Sequence, residues 1–144
     1  MKRIYVILLM VLVILLLLFG LYWFKIRRTA YSVAQILTKI EISKEYKVET
    51  FKDEWAPNGD GESLIIFSVP KQQELKLVQS CIRQGFKQLP VKEELPDNMI
   101  YNYLDKSDTL GYYSLDIDKT DNRNYTLFVV TRKSKKLIIY NAIN

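Results

Sequence analysis

The stretch ESLIIFSVPKQQELKLVQSCIRQGF, Glu62 to Phe86, changes its period halfway along, and that change decides the fold class. Its first part, Glu62 to Val69, is a short apolar run built on Leu64, Ile65, Ile66 and Phe67. A turn signal stands in front of it, as expected for a buried strand. From Pro70 the spacing becomes helical. Leu75, Val78 and Ile82 fall on one face of a helix running from about Pro70 to Gln84, and Leu77 and Cys81 widen that face. Pro70 suits the first helical turn, where no amide partner is needed. Gly85 offers the left-handed stop, and Phe86 is placed to touch the last turn near Cys81, the pattern of a Schellman ending.

Reading outward in both directions completes the domain. Pro57-Asn58-Gly59-Asp60-Gly61 is a turn signal, and Glu45 to Glu54, carrying Tyr46, Val48 and Phe51, forms a hairpin with the strand that follows it. After the helix, a polar loop through Pro90 and Pro96 leads to four strand candidates: Asn98–Leu104, Gly111–Asp118, Tyr125–Thr131 and Lys136–Ile143. Arg132-Lys133-Ser134-Lys135 links the last two as a hairpin. The order ββαββββ predicts an α+β domain over residues 45–144, with a mostly antiparallel sheet and one main amphipathic helix. The last two strands are apolar on both faces: Leu127 and Val129 oppose Phe128 and Val130, and Leu137 and Ile139 oppose Ile138 and Tyr140. One helix covers one face. The other needs the juxtamembrane helix, the long loop, a second copy or a different protein.

Upstream stands a segment of another kind. Ile4 to Phe24 is 21 residues of which only Gly20 is neither apolar nor aromatic. As a helix it reaches about 31 Å, the thickness of a bilayer's hydrocarbon core. It has no polar stripe, and Tyr5, Tyr22, Trp23 and Phe24 stand near its ends, where amphipathic rings favour the lipid–water boundary. A cleaved signal peptide would have a shorter apolar core. The sequence is therefore read as a short basic tail (1–3), a transmembrane helix (4–24) and a basic juxtamembrane segment (25–44) that is partly helical around Val33, Ile36, Leu37 and Ile40.

The charges support this division. The chain has 21 Lys and Arg, 16 Asp and Glu, no His and a net charge of +5. Five of the basic residues, Lys2, Arg3, Lys25, Arg27 and Arg28, flank the apolar run, and 21 minus 5 leaves 16, which equals the acids. The excess belongs to the ends of the anchor, so nucleic acid is not an expected partner. The flanks leave the side of the membrane open. More basic residues follow the run than precede it, which favours a cytoplasmic domain, whereas a short basic tail before a long apolar run is the form of an exported anchor. The second argument is followed, and the domain is expected outside the cytoplasm.

The absence of His excludes Ser-His-Asp triads and His metal sites, and the single Cys81 excludes an internal disulfide. Cys81 reads as a small core residue. Calcium-loop spacing fails at the turn Asp53–Glu62, where Ala56 and Phe67 would occupy ligand positions, and again at Asp116–Asn122. Neither a metal nor a cofactor is expected. No Ser-x-x-Lys, Gly-x-Ser-x-Gly or phosphate-binding loop occurs. The basic cluster Arg132, Lys133, Lys135 and Lys136 reads as a solvated hairpin tip, with anionic lipid head groups as the contact to consider. Tyr101 and Tyr103, sharing a strand face, together with Tyr112, are the expected binding surface. The expected function is a single-pass, membrane-anchored, non-catalytic binding or assembly module, in contact with membrane lipid and with a protein partner or a second copy. The alternatives are an immunity or inhibitor protein neutralising a toxin or enzyme at the membrane, and a membrane-bound hydrolase using Ser or carboxylates.

Overall fold

The computed structural model describes residues 2–38, 40–96, 99–104 and 108–144. Helix α1 spans Lys2–Arg27, 26 residues, and its apolar stretch Tyr5–Tyr22 is not buried against any other part of the chain. It is long and apolar enough to cross a membrane. The flanking Lys2, Arg3, Lys25 and Arg27 lie on this helix, with their side chains outside the described residues; Lys39 is likewise outside them.

Only Arg28 and Thr29 separate α1 from α2, Ala30–Thr38. The break has a local cause. The Thr29 amide donates to Ser32 Oγ at 2.9 Å and the Ser32 amide to Thr29 Oγ1 at 3.2 Å, a reciprocal cap that starts a new helix. Helix α2 is built into the core through Ala30, Val33 and Ala34, with Ile40, Ile42 and Tyr46 following. Tyr31 packs on Phe67 with ring centroids 5.3 Å apart, and its hydroxyl donates to the Tyr46 carbonyl at 2.5 Å. The packed unit thus begins with the segment that directly follows the apolar helix.

Strands β1 (Lys47–Trp55) and β2 (Gly61–Ser68) form the hairpin, followed by α3 (Lys71–Arg83), β3 (Lys87–Gln88), β4 (Gly111–Ile117), β5 (Tyr125–Thr131) and β6 (Lys136–Ile143). They form one antiparallel sheet in the order β1-β2-β6-β5-β4-β3. The α+β class and the ββαββββ order therefore hold, but the third strand is not the expected one. Within Asn98–Leu104, Asn98 lies outside the described residues and Met99–Asn102 is a 3-10 turn, with Tyr103 and Leu104 amides donating to the Ile100 carbonyl. Ile100 and Leu104, four apart, fit a helical turn as well as an alternating strand, and the turn prevails. The third strand is the two-residue β3 instead.

Helix α3 ends as the sequence predicts. Gly85 has φ of 73°, its amide bonds the Ile82 carbonyl, and the Phe86 amide bonds the Cys81 carbonyl, both at 3.0 Å. Pro70 stands one position earlier than expected, at the N-cap. The core face, however, is a different one. Leu77 and Cys81 are buried, while Leu75 and Ile82 are 69% and 55% exposed. The Schellman turn sets Phe86 edge-on to Phe128, centroids 5.0 Å apart, and so turns the Cys81 side toward the sheet.

Two core layers result. On one face α2 and α3 cover Ile65, Phe67, Phe128, Val130, Leu137 and Ile139. On the other, Leu95 and Ile100 of the long loop join Leu64, Ile66, Leu127, Val129, Ile138 and Tyr140. The second apolar sheet face is thus closed within the chain, by the loop.

Candidate functional site

The strand registers place an unexpected row on the helix-covered face. Asp53 faces Ser63, Ser63 faces Asn141, Asn141 faces Thr126 and Thr126 faces Asp116, so five polar residues align across β1, β2, β6, β5 and β4. The neighbouring rung on that face is Phe51, Ile65, Ile139, Phe128 and Ser114, where the apolar core begins. Ser63 is fully buried and Asn141 is 5% exposed. Asn141 interrupts the apolar run of β6, and Ser63 directly precedes that of β2.

The row is tied directly to the end of α1. Arg28, one residue past that helix, donates from Nε to Asp53 Oδ2 at 2.5 Å and from Nη2 to Oδ1 at 2.7 Å. Asp53 Oδ1 also accepts Trp55 Nε1 at 2.7 Å and Ser63 Oγ at 2.6 Å. The guanidinium carbon lies 5.0 Å from the Trp55 ring centroid, within cation–π range. Burial pushes the Asp53 carboxyl up, but the bonds from Arg28, Ser63 and Trp55 outweigh this and hold it below the usual carboxylate range. A carboxylate so occupied orients its neighbours and is a poor base, and the Ser63 hydroxyl, donating to it, has no group there to activate it as a nucleophile.

Above this row lies a groove of about 440 Å3 between α2 and the end of the sheet, bounded by Arg28, Ser32, Val33, Ile36, Leu37, Trp55, Ser63, Asn141 and Ile143. Its walls are mostly apolar, and Ser63 and Asn141 of the polar row line its floor. Asn141 Oδ1 accepts Thr126 Oγ1 at 2.8 Å. Asp53, Trp55, Ser63 and Asn141 were not among the expected site residues; the lone polar Asn141 inside the apolar run of β6 was the available signal.

The expected tyrosines do not share a face. Tyr103 packs with the loop-covered layer and Tyr112 with the helix-covered layer, both half-buried. Tyr101, 42% exposed, borders a separate cavity of about 230 Å3 with Leu89, Val91, Leu104 and Thr131. Near it, Glu93 Oε2 accepts the Tyr113 hydroxyl at 2.6 Å and Oε1 pairs with Lys87 Nζ, which lowers the Glu93 carboxyl to about 2. Asp108 accepts the Ser134 amide at 2.9 Å and its hydroxyl at 2.7 Å, fastening the loop to the β5–β6 turn.

The remaining candidates have local partners. Asp118 accepts from Thr120, and Asp121 from Arg123, within their turn, and Asn58 Nδ2 donates to Asp60 at 2.6 Å. Among the described residues no three acidic or cysteine side chains converge as a metal site requires. Cys81 is fully buried, and burial pushes its thiol up to about 12. The basic cluster stands at the sheet end away from Arg28, since Lys136 faces Ser68 and Thr131 whereas Asp53 faces Ser63 near the opposite end. There Arg132 pairs with Glu74 and Lys136 with Glu49, each at 3.2 Å. No protein-family description, curated protein or solved structure matches the chain.

Proposed function

We propose that this protein is a single-pass membrane-anchored binding module whose α+β domain is held at the membrane surface and acts by contact rather than by catalysis. One observation carries the reading. The apolar stretch Tyr5–Tyr22 is wholly unburied, although the domain closes both of its own sheet faces without it. A uniformly apolar helix left outside a closed domain is stable only in an apolar medium. The Arg28–Asp53–Trp55 cluster supports fixed presentation of the domain, because it joins the helix end to the sheet with almost no linker. Of the expected contact residues Tyr101 is the one most open to a protein partner, since Tyr103 and Tyr112 are half-buried in opposite layers. An immunity or inhibitor role is a special case of the same contact function. The filled hydrogen bonding of Asp53 gives the hydrolase alternative little support.

The test is fractionation of cells producing the full chain, followed by an alkaline carbonate wash. The protein is expected to remain with the membrane pellet, and release into the supernatant would overturn the anchor. Protease added to intact cells then assigns the side, with an extracytoplasmic domain expected to be digested.

A further inference from the structure

The groove beneath α2 has the composition of a ligand site rather than of a packing fault. Its volume of about 440 Å3 lies within the range of small-molecule pockets, roughly 300–1,000 Å3, which combine apolar walls with a few placed polar groups. Ile36 is 76% and Ile143 39% exposed at its rim. At its floor Asn141 is 5% exposed and spends its oxygen on Thr126, while its amide nitrogen has no partner among the described residues. This nitrogen is accessible at the groove, where a ligand with an acceptor next to a hydrocarbon chain would meet both it and the apolar walls.

Position selects the source of that ligand. Arg28 both bounds the groove and directly follows α1, and α2, its long wall, starts two residues later. If α1 spans the bilayer, the groove is held where lipid is the apolar molecule at highest local concentration. The charge of Arg28 is matched by Asp53, and Asp116 stands at the far end of the polar row, so the site does not favour an anionic head group.

We propose that this groove takes one acyl chain of a zwitterionic phospholipid from the adjoining leaflet, with the ester carbonyl accepting from Asn141 Nδ2. The hydrocarbon runs along Val33, Ile36, Leu37 and Ile143. The proposal rests on the membrane-anchor reading above.

The test places the full chain in phosphatidylcholine vesicles carrying a phosphatidylcholine with a diazirine in its acyl chain, and maps the adducts after irradiation. Label is expected on α1 and also on residues 32–37 and 141–143. Ile36→Glu, an exposed position that leaves the core untouched, is expected to lower the domain label about tenfold while the α1 label stays constant, because a carboxylate in the groove opposes the hydrocarbon. Label on α1 alone overturns the lipid groove and leaves the anchor standing. Label on neither overturns the anchor itself. Domain label that persists unchanged in Ile36→Glu shows surface contact, and adducts between two copies of the chain show a protein occupant; either result overturns the proposal.

Discussion

Asp53 is the residue on which the junction between helix and domain depends. Its carboxylate gathers Arg28, Trp55 and Ser63, and its side chain is only 9% exposed while that of Arg28 is 29%. Asp53→Asn keeps the shape but removes the charge that compensates the guanidinium. It is expected to cost about 2 kcal/mol, below the 3–5 typical of fully buried pairs because Arg28 is partly solvated. Urea unfolding of both proteins measures it. Because the folded carboxyl is held below its usual value, the stability it adds is present above about pH 4 and is lost as pH falls through the lowered value. The wild-type protein should therefore lose more stability on acidification than Asp53→Asn. Cys81 makes a contrasting prediction. A thiol with no exposure and raised to about 12 supplies almost no thiolate, so a maleimide should label the native protein at a negligible rate and the urea-unfolded chain readily. Rapid native labelling would contradict the burial. The core role of Cys81 was legible because its position between Leu77 and Gly85 belongs to a recognisable helix end.

At the scale of elements, legibility followed length and punctuation. The β4, β5 and β6 strands fell within a residue of their expected spans because runs rich in aromatic, aliphatic and β-branched residues were bounded by turn residues. Helix α3 was found with its terminal glycine but not with its buried face, since Leu75, Leu77, Val78, Cys81 and Ile82 spread apolar character over nearly half of its circumference. Periodicity cannot choose between two adjacent apolar stripes; the Phe86–Phe128 contact does, and it is not local in sequence. The 3-10 turn at Met99–Asn102 and the two-residue β3 were equally hidden, the first by an ambiguous spacing and the second by its brevity. The long loop is nevertheless fixed, and the Lys87–Glu93–Tyr113 set is one of its pins. The folded Glu93 carboxyl sits at about 2, so its contribution holds above the usual value of about 4.3 and disappears as pH falls through about 2. In Glu93→Gln, the melting temperature should fall less steeply between those two pH values than in the wild type. Equal slopes would remove Glu93 from the acid response.

For the whole molecule, the decisive finding is where the domain begins. The apolar run and its charges raised the expectation of a membrane helix, and they also drew attention away from the segment behind it. Val33, Ile40 and Ile42 look like the inner side of a juxtamembrane linker until Ile65, Phe67 and Ile139 are seen to need covering. The site was less legible still, because a polar row across five strands exists only once their registers are set. A chain starting at Arg28 should fold as a soluble domain. One starting at Glu45 should lose on the order of 5 kcal/mol, from about 1.5–3 kcal/mol for each large apolar side chain removed, and should show no cooperative thermal transition. Circular dichroism melts of the two chains compare them directly, and a cooperative melt of the shorter chain would refute the assignment of α2 to the core.

The two-residue gap between α1 and α2 also sets a working radius. Strands of eight or nine residues are roughly 30 Å long at about 3.4 Å per residue, and Arg28 holds one end of that sheet at the exit of the helix. With no slack in the tether, the outermost turn at Arg132–Lys135 stays about a sheet's length from the anchor, whatever the tilt. With α1 across a bilayer, as proposed, anything this protein meets would have to come within that height of it.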